Sequence, residues 1–328
     1  MTEFTRRTAL ALPGALLAAP ALAQAEWRPT QPVRIIVPAA PGGTADIMGR
    51  LAAAHLQTRF GSNVVAENRS GAGGNIGTME VIRSAPDGHT LLSGNIGPQA
   101  IAYSLFRNLQ YTPASLAPIC GFIRGPNVLV VHPSVPATTV PEFVAWLKAN
   151  PGRMSYGSPG IGQSPHLSGV WFAQLTGTDA IHVPFRGAGP AAIELVAGNI
   201  QFMFDNLTSG IQQVRAGRVR ALAVTSAERN PQLPDIPALR ETMPELASYD
   251  VNTWFGLFAP ANTPPAVISR LNAETRGMIA APEMQARFAQ MGGAPLAGTP
   301  EEFAAFVTAE IEKWRNIIRR EGLQVDIS

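Results

Sequence analysis

Short apolar runs alternate with longer amphipathic stretches along almost the whole chain. Val33–Val37 reads as a strand and 46–60 as a helix; 64–67 reads as a strand and the next helix runs to about Arg83. Strands follow at 89–93, 122–132, 154–157, 180–185, 200–204 and 219–225, and the last four are separated by helices over 165–175, 188–197 and 207–216. This βαβα rhythm predicts an α/β fold with a mostly parallel sheet and helices on both faces. Two helix starts are well marked. Thr139, with Pro141 and Glu142 behind it, and Thr299, with Pro300 and Glu302, both have capping-box spacing. Phe143 and Leu147 form the apolar stripe of the first. Phe303, Phe306, Val307, Ile311, Trp314 and Ile318 form that of the second, which predicts a helix packed on the core.

Two places read as domain crossings: the 122–132 strand, between Gly121 and Pro133, and the proline-rich stretch 230–244 leading into 250–259. The expected organisation is a first domain of 26–121 plus 250–328 and a second of 122–249. Two crossover strands join them, with a ligand cleft between the lobes.

The candidate chemistry lies in glycine-rich turns between strand and helix. Pro38-Ala39-Ala40-Pro41-Gly42-Gly43-Thr44 precedes the helix that contains Asp46. Asn68-Arg69-Ser70-Gly71-Ala72-Gly73-Gly74-Asn75-Ile76-Gly77 opens the next helix. Such turns aim free N–H groups, backed by the positive end of the helix dipole, at an anion. Ligands of open α/β sheets sit beyond the carboxyl ends of the strands. The first domain therefore offers Pro38, Gly43, Thr44, Asp46, Gly73, Gly74, Asn75 and Asn95. The second offers Ser158, Gly160, Gly162 and His166 on a third glycine-rich turn, then Phe185, Arg186 and Gly187, and Asp205 beside Asn206. Arg186 suits a carboxylate and Asp205 a ligand amine. Each also has a structural reading: Asp46 as a helix-start partner, His166 as a packed side chain, Arg186 as a solvated loop residue.

Composition narrows the function. Residues 1–25 have the pattern of a secretory leader: Arg6 and Arg7, an apolar 8–20 segment, then small residues before a cut after Ala25. Export to the periplasm by the Sec route, or by the twin-arginine route that Arg6-Arg7 partly matches, would leave 303 residues with a net charge of +1. So balanced a charge argues against nucleic acid as a partner. Cys120 is the only cysteine, so no internal disulfide can form. The five histidines show no metal-like spacing, and neither a phosphate-binding P-loop nor an intact dinucleotide fingerprint is present; no cofactor or metal is expected. Gly162-Gln163-Ser164-Pro165-His166 has a serine at the centre of a broken nucleophile elbow. An exported serine hydrolase using Ser164 and His166 is thus the alternative reading, and an adhesion module without a ligand is a third.

The chain resembles the Bug family, the solute receptors associated with tripartite tricarboxylate transporters. The resemblance spans nearly the whole sequence after residue 25. It rests on Pro32-Val33-Arg34-Ile35-Ile36-Val37-Pro38, Pro41-Gly42-Gly43-Thr44-Ala45-Asp46 and the 67–77 segment. It continues through Ala85-Pro86-Asp87-Gly88-His89-Thr90-Leu91, Val183-Pro184-Phe185-Arg186-Gly187, Leu222-Ala223-Val224-Thr225-Ser226 and Trp254-Phe255-Gly256-Leu257-Phe258-Ala259-Pro260. It implies an α/β, two-domain periplasmic binding-protein fold that closes on a small organic acid or amino acid, held by loop N–H groups and bridging water. It also implies membrane transporter subunits as partners of a monomeric receptor that is not an enzyme. This sequence departs from the family's common pattern at Phe185-Arg186, often Tyr-Lys, at Ser70, often Pro, and at His89, often Tyr.

Overall fold

A computed structural model of the protein describes residues 26–322, so the leader segment lies outside the described residues. The strands are β1 (Val33–Val37), β2 (Val64–Asn68), β3 (Thr90–Asn95), β4 (Leu116–Val131), β5 (Ser155–Ser158), β6 (Ile181–Pro184), β7 (Phe202–Asn206), β8 (Arg220–Val224), β9 (Asn252–Pro260) and β10 (Ala294–Pro295). The helices are α1 (Thr44–Phe60), α2 (Asn75–Ile82), α3 (Ala102–Leu105), α4 (Val140–Ala149), α5 (Ser164–Thr176), α6 (Ala188–Val196), α7 (Leu207–Arg215), α8 (Pro265–Ala280), α9 (Pro282–Gln290) and α10 (Pro300–Glu321). Helices α8 and α9 occupy a stretch that the sequence reading left unassigned.

The strand order is β2-β1-β3-β9-β4-β7-β5-β6, with β8 and β10 also paired to β4. Parallel trios form the two outer parts: β2-β1-β3 and β6-β5-β7. Between them, β4 and β9 run antiparallel to their neighbours, so the expected mostly parallel sheet is mixed at its centre. The 16-residue β4 serves both parts. From Leu116 to Pro126 it pairs with β9, and from Asn127 to Val131 with β7 and β8. Pro118 and Pro126 remove ladder N–H groups, and two register shifts bend its first half.

Alternation along the strands fixes what each face buries. Val33, Ile35 and Val37 pack with Met48 and Leu56 of α1 and Leu271 of α8, whereas Ile36 joins the opposite layer with Trp254, Phe303 and Ile318. In the second part Phe202 and Phe204 face α4 and α5, while Met203 faces α6 and α7. Both expected capping boxes form. Glu142 N–H donates to Thr139 Oγ1 at 3.3 Å, Glu302 N–H to Thr299 Oγ1 at 3.2 Å, and each glutamate accepts in return.

Candidate functional site

The loop after β1 is organised by Asp46. Its carboxylate accepts from Gly42 N–H (3.2 Å) and Asn68 Nδ2 (2.9 Å) and pairs with Arg50 (2.9 Å). Burial pushes this carboxyl up, but the bonds from Arg50, Asn68 and Gly42 outweigh it and hold the group below the usual carboxylate range. Asp46 thus shapes the turn and does not line the pocket. The loop after β2 has a different logic. Residues 71–74 all take positive φ (135°, 46°, 62° and 98°), a left-handed run that only glycine adopts without strain. Three of the four are glycine, and Ala72 bears the exception.

Opposite these loops stand the turn 159–163, the segment 185–188 and the start of α7. The two sides touch. Ala40 N–H donates to Arg186 O at 2.8 Å, Gln163 Nε2 donates to Gly73 O at 2.6 Å, and the Thr44 and Thr208 hydroxyls lie 2.6 Å apart. Glycine permits this approach: a Cβ on Gly73 would stand 2.1 Å from Ile161 O, and one on Gly189 would stand 2.3 Å from Pro41 O. The arrangement is a closed clamp.

It encloses a pocket of about 60 Å³. Pro38, Gly43, Thr44, Gly73, Gly74 and Asn95 line it from one side, Phe185 and Arg186 from the other. These eight residues were legible in the sequence. Thr44 and Ala45, in the first turn of α1, present N–H groups without intrahelical acceptors. Asn95 has Oδ1 committed to Gly97 N–H (2.9 Å), so its NH2 is what it can offer a ligand. Sequence reasoning missed Gln163, Pro159 and Phe255 as lining residues, and Asn206 was passed over for its neighbour. Asn206 is fixed from behind: its Nδ2 donates to Asn127 Oδ1 at 2.7 Å, and Asn127 Nδ2 donates to Ser168 Oγ at 3.1 Å.

The other expected residues stand behind or beside the pocket. Asn75 is buried, with Oδ1 2.6 Å from the Tyr111 hydroxyl. Ser158 Oγ lies 2.7 Å from His182 Nε2 and accepts from Gly160 N–H. Gly160 and Gly187 abut the opposing loops at Gly73 and Ala40, and Gly162 packs on Phe106. His166 lies against His182, the rings tilted by 31° with centres 4.3 Å apart. Burial, and then His182, push its imidazole down to about 3, and burial takes His182 down to about 4. Both rings are neutral at ordinary pH. Ser164 is no nucleophile poised by a base: its hydroxyl accepts from Asn127 Nδ2 (3.4 Å), and among the described residues it makes no hydrogen bond to His166.

Asp205 is a correction. It points away from the pocket, between α6 and α7, because neighbouring strand residues face opposite ways and Asn206 takes the pocket side. Burial pushes its carboxyl up to about 7, against one backbone donation from Asn206. An unfolded Asp titrates near ~3.9, so from about pH 4 to 7 the folded chain holds a proton that the unfolded chain has lost. Stability from this group therefore falls as pH rises through that window and is level above it. Asp205→Asn should be more stable than the parent at pH 8, by about 2–4 kcal/mol, with the margin shrinking toward pH 4. Urea denaturation at pH 5 and pH 8 checks this; an equal margin at both would mean the carboxyl does not titrate there.

Comparison with known proteins agrees with this geometry. The sequence profile described as "Tripartite tricarboxylate transporter family receptor" matches residues 48–323. Protein BugT of Bordetella pertussis is 33% identical over 304 residues, covering 92% of each chain. Among solved structures, Rpa4515 of R. palustris with adipate is 32% identical, with a TM-score of 0.85 over 90% of this chain and 98% of that one. MatC from Rhodopseudomonas palustris with bound malate is 31% identical, with a TM-score of 0.83 over 88% and 99%. The chain belongs to the tripartite tricarboxylate transporter receptor family.

Proposed function

We propose that this protein is a periplasmic receptor that captures a small carboxylate between its lobes and presents it to a tripartite tricarboxylate-type transporter or to a sensor. The observation that carries this reading is the pocket itself. Its walls come from both ends of the fold, and helix-start N–H groups and amides meet in it with a loop arginine. The acids held by its relatives, adipate and malate, support the class. The leader supports export. Division into 26–121 plus 250–328 and 122–249 is supported by β4 exchanging partners between Pro126 and Asn127, with β9 returning at Asn252. Those two strands form the hinge. The receptor works as a monomer, without cofactor, and turns nothing over.

A thermal-shift screen of adipate, malate, succinate, glutamate and aromatic acids tests the reading, on protein unfolded and refolded to strip carried-over ligand. An acid at 100 times its Kd adds about 2.7 kcal/mol and raises Tm by roughly 5 °C. If no acid moves Tm, carboxylate capture is wrong. Arg186 is exposed at the pocket edge, so its share is modest. Arg186→Ala should weaken the best acid by about 1 kcal/mol, roughly fivefold, read by calorimetry. Unchanged affinity would assign recognition to the N–H groups and amides alone.

A further inference from the structure

A groove of about 700 Å³ lies between α6 and α7, and nothing in the carboxylate reading uses it. Its walls are mostly apolar: Pro190, Ala192, Ile193 and Val196 of α6, with Pro41 and Gly42 contributed by the loop after β1. Ile193 is 67% exposed, unusual for so large an apolar side chain. Ser209, Gln213 and Arg218 add polar groups. At the groove's floor lies Asp205, 4% exposed, with a buried Oδ1 that has no hydrogen-bond partner.

An orphaned buried carboxyl oxygen needs an explanation, because leaving it unpaired costs free energy. The backbone donation from Asn206 to this carboxyl leaves Oδ1 without a partner. Helix α7 passes so close that a Cβ on Gly210 would stand 2.7 Å from Asp205 Oδ2, so that side is closed by backbone. Asp205 lines two hollows; one is a void of about 10 Å³, and only the groove has room for a ligand. Its volume lies in the range of small-molecule sites, which are apolar hollows with a few fixed polar groups.

We propose that the groove between α6 and α7 is a second ligand site, separate from the interlobe pocket, that takes a small organic ammonium: a cationic head on Asp205 and an apolar stem along Ile193 and Val196. A carboxylate can only accept hydrogen bonds, so it selects a donor, and a charged donor most strongly. Burial, which disfavours the bare anion, is offset when a cation pairs with it. Among the described residues, Arg218 is the only other charged group lining the groove, and it sets a modest opposing charge.

The test is an amide NMR titration of the full protein with n-hexylammonium chloride at pH 8, alongside 1-hexanol, which has the stem and lacks the charge. Hexylammonium should give saturable shifts at Ala192, Ser209 and Gln213. Its affinity should fall at least tenfold in Asp205→Asn, whereas hexanol should bind both proteins alike. Ile193→Lys, a change at an exposed position that leaves the core intact, should weaken hexylammonium severalfold. Arg218→Ala should tighten it. Absence of saturable shifts at those three residues overturns the proposal, as does equal affinity in Asp205→Asn. Should that variant fold poorly, undiminished affinity in Ile193→Lys overturns it instead. Ile193, Asp205 and Arg218 do not line the interlobe pocket, so carboxylate affinity measured in the same variants separates failure of this proposal from failure of the carboxylate reading.

Discussion

Gly189→Ala should leave the melting temperature unchanged or slightly raised, while weakening carboxylate binding by ten- to a hundredfold. Gly189 lies in the first turn of α6 with no positive φ, so alanine suits its backbone and improves helix propensity by up to about 1 kcal/mol. The conflict lies outside the helix. The added Cβ would stand 2.3 Å from Pro41 O, where ordinary contact begins near 3.4 Å. The loop and the helix must therefore separate by about 1 Å. At that distance the Ala40–Arg186 and Thr44–Thr208 bonds, now 2.8 and 2.6 Å, cannot both persist. Two lost bonds of about 1 kcal/mol each, together with looser packing, give the expected factor, since a receptor that closes less often binds in proportion. Calorimetry with the best acid of the thermal screen measures the affinity, and small-angle scattering shows whether the liganded variant stays expanded. Full affinity with full compaction would mean that the contact of α6 with the 38–43 loop plays no part in capture.

Asn127→Leu should lower stability by about 3 kcal/mol and cut carboxylate affinity about tenfold. Asn127 is fully buried at the point where β4 changes partners. Its side chain accepts from Asn206 and donates to Ser168, and its N–H donates to Thr225 Oγ1 at 2.8 Å. Leucine keeps the branched outline with bulkier methyl groups and leaves the Asn206 amide and the Ser168 hydroxyl unpaired, at about 1–3 kcal/mol each. The Tm should drop by roughly 5–10 °C. Asn206 then loses what holds its amide at the pocket wall, so affinity falls beyond what unfolding explains. Urea denaturation and calorimetry on the same sample separate the two effects. A variant that loses stability but binds normally would show that Asn206 does not touch the ligand.

The family likeness gives the hydrolase alternative no support, and the local geometry gives it none either. Ser164 is occupied by Asn127, and His166 is half-buried, its ring tilted against His182 and held neutral. A serine and a histidine two residues apart at a helix start need not face one another.

The sequence alone determined the elements and the loops that make the pocket. Strand and helix periods, the capping residues Thr139 and Thr299 and the glycine runs are local matters. They depend on backbone freedom and on side chains a few residues apart, so they can be read without knowing what lies across the molecule. Tertiary structure decided which side chains point into the pocket. Asp205 and Asn206 are adjacent in sequence, yet strand alternation sends one to the α6–α7 groove and the other to the pocket, and the choice depends on which face the two layers bury. Gln163 and Phe255 joined the site only because distant segments fold back on it. Asp46 left it because Arg50 and Asn68 hold its carboxylate. Likewise, no local signal marks Gly189 as the residue on which closure depends, since the atom it must avoid, Pro41 O, is almost 150 positions earlier in the chain.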